Sequence, residues 1–116
     1  MSRDESSKPM PDAVRPPAPT LDGAQRRRLR ALAHPLKPVV MVGESGITPA
    51  VLAAVDAALA THELIKVRLR QPEDKHAAAE ALAEAGHAAL CGVVGHTVIL
   101  YRPDPETPRI EPSRRR

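Results

Sequence analysis

Aromatic residues are almost missing from this chain, which has one Tyr and neither Trp nor Phe. That excludes modules that stack nucleic-acid bases on a sheet of aromatic side chains. Cysteine occurs once, so neither an intramolecular disulfide nor a multi-cysteine zinc site can form. No apolar run approaches the ~20 residues that span a bilayer. The opening residues, MSRDESSKPM, lack the apolar stretch of a secretory signal. A reducing cytoplasm is the expected compartment. Paired carboxylates, a Ser-His-Asp set and metal-ligand spacings are also missing, so no enzyme activity, metal or cofactor is expected.

What is present is a chain of 116 residues, 42% hydrophobic, enough for one domain with a core. Its 13 prolines are unevenly spread. Five lie in Met1–Thr20 and four in Pro103–Arg116, while Leu21–Arg102 has only Pro35, Pro38, Pro49 and Pro72. The two ends have few apolar residues to bury, so residues 1–20 and 103–116 read as disordered tails around a domain at 21–102. Removing either tail should then leave stability nearly unchanged. The net charge of +3 is a mild basic bias, and the domain itself carries ten basic and eight acidic side chains. A positive surface must therefore come from placement, not from bulk charge.

Within the domain, Asp22 and Gln25 have the spacing of a capping box ahead of a helix over Ala24–Ala33. That helix stops before Pro35. Val39–Val42 is a short β-branched run that reads as a buried strand. Thr48 and Pro49 suit the N-cap and first position of a helix ending at His62. Leu64–Arg70 alternates, with Ile65, Val67 and Leu69 on one side and Lys66, Arg68 and Arg70 on the other. A helix over Glu73–Ala85 follows, with Gly86 at its C′ position. Ala89–Val94 and Thr97–Tyr101 form a hairpin about Gly95-His96. The order α-β-α-β-α-β-β predicts an α/β domain with a four-stranded mixed sheet packed against helices.

The sharpest local feature is Gly43-Glu44-Ser45-Gly46 between a strand and a helix. Glycines allow close backbone approach, and a helix N-terminus offers free N–H groups, so such a turn can hold phosphate. The same pattern also serves as a plain strand-to-helix turn. It is not a Walker loop, because no Gly-Lys-Ser/Thr follows. Basic residues cluster around it in the sequence: Arg26, Arg27, Arg28 and Arg30 on the first helix, Lys37 before the first strand, and Lys66, Arg68 and Arg70 on one strand face. A solvated polar face would look alike.

Three blocks in order carry a resemblance: LAHPLKPVVMVGESGIT at Leu32–Thr48, HELIKVR at His62–Arg68 and GHTVILYR at Gly95–Arg102. Together they resemble the CRM domain, the chloroplast RNA splicing and ribosome maturation family, which stands alone in bacteria as YhbY-like proteins. The resemblance implies a fold similar to the C-terminal domain of translation initiation factor three. It also implies RNA as the partner, in precursors of the large ribosomal subunit, and Gly43 and Gly46 as the RNA-contacting loop with nearby basic residues in support. Glu44 departs from what a phosphate-facing loop would carry, and the proline-rich tails lie outside the family pattern.

The function expected is a monomeric, non-catalytic RNA-binding protein with no membrane or DNA partner. With no aromatic platform it should read shape through phosphate and 2′-hydroxyl contacts, as a folded rRNA element offers. Two other classes stay open: a small phosphate-ligand-binding protein using the glycine turn, and a protein–protein adaptor using the tails. Cys91 reads as packing in an apolar strand, and His76 and Glu80 as a solvated i,i+4 pair.

Overall fold

A computed structural model describes residues 17–113. The expected disorder of residues 1–16 and any contribution of Arg114–Arg116 lie outside the described residues. The elements follow the expected order: α1 (Gly23–Ala33), β1 (Val40–Val42), α2 (Pro49–His62), β2 (Leu64–Leu69), α3 (Lys75–Ala85), β3 (Ala89–Val94) and β4 (Thr97–Tyr101).

The helices begin where side chains satisfy free backbone N–H groups. At α1 the capping box is reciprocal: the Asp22 carboxylate accepts from the Gln25 N–H at 2.7 Å, and Gln25 Oε1 accepts from the Asp22 N–H at 2.9 Å. Thr48 Oγ1 accepts from the Val51 N–H at 3.2 Å, with Pro49 in the first turn. Helix α3 starts two residues later than the sequence suggests. Asp74 takes an extended conformation and caps it, accepting from the Ala77 N–H at 3.0 Å. At its far end the left-handed residue is His87 (φ 52°), not Gly86. The Ala88 N–H reaches the Ala83 carbonyl and the His87 N–H the Glu84 carbonyl, so the carbonyls of the last turn are closed off.

The sheet order is β1-β2-β4-β3, with β1 and β2 parallel and the other two pairings antiparallel. Helices α2 and α3 cover one face, where Val40, Val42, Ile65, Val67, Leu69, Val98 and Leu100 form the larger core. Helix α1 lies on the other face, over Leu64, Cys91, Ile99 and Tyr101. Strand β2 therefore buries both Leu64 and Ile65 at its start and only alternate residues further on. This is a small α/β domain with a four-stranded mixed sheet and three helices, as expected.

Two features depart from expectation. Strand β1 is buried on one side only: Met41 is 60% exposed between buried Val40 and Val42. The segment after β4 is not a free tail over its described length. Residues 103–113 run back along the domain as an irregular strap, and their anchor is a charged group in the core. Glu63 is 1% exposed. Its carboxylate accepts from the backbone N–H groups of Asp104 (2.6 Å), Arg109 (3.0 Å) and Ile110 (2.9 Å). Tyr101 Oη donates to the Ile110 carbonyl, and the Ile110 side chain packs on the smaller core. Apolar content was a poor guide to this segment because main-chain hydrogen bonds to a buried carboxylate hold it, with one isoleucine in support.

Candidate functional site

Strand β1 delivers its C-terminal end to the turn Gly43–Gly46, closed by the Gly46 N–H donating to the Gly43 carbonyl at 3.0 Å. Glu44 and Ser45 at the tip are exposed. The two glycines have different reasons to be there. Gly46 has φ +77°, which side chains other than glycine rarely adopt. Gly43 lies outside the left-handed region, and a Cβ built on it meets nothing within 4 Å. The fold would accept alanine at 43. Nothing inside the molecule explains the glycine, whereas a backbone that must be approached closely from outside would.

Beside the turn, half of one sheet face is open. Helix α1 covers the rows of Leu64–Tyr101–Ala89 and of Ile99, but not the next row. That row runs across the sheet as Met41–Arg68–Thr97–Val94 by register. Met41 and Val94 are 60% and 59% exposed at its edges, and Arg68 stands exposed between them. Arg70 continues the same face next to the turn. Its guanidinium lies 3.9 Å from the Glu44 carboxylate, with both side chains well exposed. An exposed pair at that distance is weak, so Glu44 tempers the charge of Arg70 without locking it. The hairpin tip closes this end, where the His96 carbonyl accepts from the Leu69 N–H at 2.7 Å.

Of the basic residues singled out in the sequence, the structure brings only Arg68 and Arg70 to the turn. Lys37 sits at the opposite end of β1, six residues and up to roughly 20 Å of extended chain from Gly43. Lys66 points its ammonium at the carbonyls of His34 (3.2 Å) and Leu36 (3.0 Å), closing the end of α1. Arg30 donates to the Cys91 carbonyl at 2.8 Å and lies over Gly92, where a Cβ would come within 2.6 Å of its Cδ. These two cations stitch α1 to the sheet. Arg26 is exposed but donates to the Leu21 carbonyl, and Arg27 is exposed on the outer side of α1. Met41, Thr97 and Val94 escaped the sequence reading. The alternation Val40-Met41-Val42 holds the signal for Met41, hidden by the uniformly apolar run.

Other chemistry is weakly supported. A cleft of about 440 Å³ between the glycine turn and Gln71–Asp74 has Glu44, Glu73 and Asp74 on its walls against Arg70. That balance disfavours a free phosphate ligand. Cys91 is buried, and desolvation pushes its thiol up to about 12 despite the opposing charges of Arg30 and Arg26. It is not a nucleophile at neutral pH. Among the described residues no group of three His, Cys, Asp or Glu side chains is placed to hold a metal. No described helix is long and apolar enough to cross a membrane.

Comparison with known proteins points one way. Residues 21–102 match the model of the CRS1 / YhbY (CRM) domain. A Haemophilus influenzae protein named "RNA-binding protein" is 43% identical over 89 residues, which is 75% of this chain and 90% of that protein. A Bacillus subtilis protein, "Probable RNA-binding protein YqeI", is 39% identical over 93 residues, 78% of this chain and 97% of its own length. The solution structure of a Staphylococcus aureus protein superposes with a TM-score of 0.71 at 37% identity, covering 79% of this chain and 98% of that one.

Proposed function

The chain belongs to the CRS1/YhbY (CRM) domain family, and on that premise we propose that it is a non-catalytic RNA-binding protein whose target is structured RNA, ribosomal RNA of the large-subunit precursor. The RNA backbone lies against the Gly43–Gly46 turn, and Arg68 and Arg70 neutralise phosphates on the adjoining open half of the sheet. Met41 and Val94 flank Arg68 and give that surface apolar shoulders on which sugars can rest. With one buried tyrosine as the only aromatic residue, base stacking contributes little, so the RNA is read by backbone shape.

The observation that carries this reading is Gly43, a glycine that the fold does not need at the rim of the open basic surface. The test follows from it. In Gly43→Ala, stability should stay within ~0.5 kcal/mol of the parent, as for a surface change. Affinity for an RNA hairpin should fall about tenfold, the worth of one charge-assisted hydrogen bond of roughly 1.5 kcal/mol. A folded Gly43→Ala protein with full RNA affinity would show that the turn is only a turn. The ribosomal target is tested separately, by crosslinking in cells and sequencing of the RNA recovered.

A further inference from the structure

Strands β1 and β2 run parallel, and their carboxyl ends, Val42 and Leu69, stand side by side. In open α/β sheets, ligands bind in the crevice outside such ends. Here that crevice is the cleft of about 440 Å³ between the glycine turn and Gln71–Asp74. Val42 and Leu69 lie buried beneath it, and half-buried Ile47 and Pro72 give it apolar sides. The two helices that begin beside it are capped by their own side chains, Thr48 on the Val51 N–H and Asp74 on the Ala77 N–H. Three carboxylates, those of Glu44, Glu73 and Asp74, line the cleft against the single guanidinium of Arg70. Glu73 is exposed and has no hydrogen-bond or ion-pair partner among the described residues. Such a lining repels phosphate and accepts hydrogen bonds from N–H groups.

The cleft and the open basic surface share the glycine turn. Met41 and Arg68 point to the open face of the sheet, while Val42 and Leu69, one residue on, point to the side of α2 and α3 where the cleft lies. An RNA backbone that crosses the turn with its phosphates on Arg68 and Arg70 therefore has the cleft within reach of its bases. We infer that the cleft is a nucleobase site, which takes one unpaired guanine with the Glu73 carboxylate accepting from its N1–H and exocyclic amine. The inference rests on the RNA-binding reading above and adds one base contact to a surface that reads backbone shape. Guanine presents two neighbouring donors, which match the two oxygens of a carboxylate. Uracil sets its single N–H between two carbonyls, which a carboxylate repels. Adenine and cytosine each set one amine beside an acceptor nitrogen. A bulged base is already unpaired, so its entry costs least.

The test uses the full chain and labelled RNA hairpins that differ only in one bulged nucleotide. Bulged guanine should bind about tenfold more tightly than bulged uracil. Inosine, which keeps the N1–H but lacks the amine, should fall between them and tests the contact with the protein unaltered. Glu73 has no partner to lose, so Glu73→Ala spares the fold, and in it the ratio of guanine to uracil affinity should drop to about one. The ratio in the parent should be the same with EDTA present. Equal binding of all bulges by the parent would overturn the nucleobase site and leave the glycine-turn reading standing. A guanine preference kept in Glu73→Ala would overturn the assignment to this cleft. A preference abolished by EDTA would give the carboxylates to a divalent cation and overturn the direct base contact. A parent protein that binds no RNA hairpin would overturn the RNA-binding reading itself.

Discussion

At the Leu64 end of β2 a buried carboxylate accepts three backbone N–H groups, while at the Arg68–Arg70 end two guanidinium groups stand in solvent. The strand between them follows one alternating pattern. What differs is the cover. Helix α1 and the strap close one end over Leu64 and Tyr101, and nothing in the described chain covers Met41 and Arg68 at the other. Cations near the covered end, Lys66 and Arg30, serve carbonyl groups of the fold. Cations at the open end meet one exposed carboxylate at most. The same residue type is structural or available according to what lies across the sheet from it.

If the covered end holds the fold together, the largest effect should come from Glu63→Ala. Three backbone amides would lose their buried acceptor, and the Ile110 anchor would loosen with them. A loss of about 3 kcal/mol, a fall in Tm of roughly 12–20 °C, is expected by thermal denaturation. A Tm within a few degrees of the parent would mean that the strap contributes little to the fold.

At the open end the converse holds. Arg68→Glu should leave Tm unchanged yet weaken hairpin binding roughly ten- to thirtyfold at 0.1 M salt, through one lost and one repelled phosphate contact. Equal losses on unrelated structured RNAs would place Arg68 against the backbone, whereas loss on one sequence alone would place it against bases.

The covered end also predicts a pH signature. Burial, with the Glu63 charge second, pushes the Tyr101 phenol up to about 12 from its usual value near 10. The fold favours the neutral phenol, so this stability is full below about pH 10 and is lost as the pH rises through about 12. Tyr101 is the only tyrosine, so phenolate absorbance reports it alone. A midpoint near 10 in the folded protein would contradict its burial beneath the strap.

The smallest effect is expected at the border of the two regions. Glu44→Lys removes the acid beside Arg70 and should raise RNA affinity two- to threefold at low salt, an increase that screening abolishes as salt rises. No change at low salt would put RNA more than a Debye length, about 30 Å at 0.01 M, from the turn.

Much of this was legible in the residues themselves. The capping box at Asp22 and Gln25, the Thr48-Pro49 start, the alternation of β2 and the Gly95-His96 hairpin are local signals, set by hydrogen-bonding and dihedral preferences within a few positions. The glycine turn and its place between strand and helix were equally visible. The basic cluster was not. Lys37 was already placed by the sequence at the entry of its strand, a strand's length from the turn, but only packing shows that Lys66 and Arg30 are bound to carbonyls.

The sequence alone determined the element order and the inward set Ile65, Val67 and Leu69, because periodicity is a property of short stretches. The tertiary structure alone decided which half of a sheet face stays open, that Met41 belongs to it, and that Glu63 is a buried anchor for a segment some 40 residues downstream. Such outcomes depend on which groups meet across elements distant in the chain. Burial and electrostatics act through space, and no local pattern encodes them.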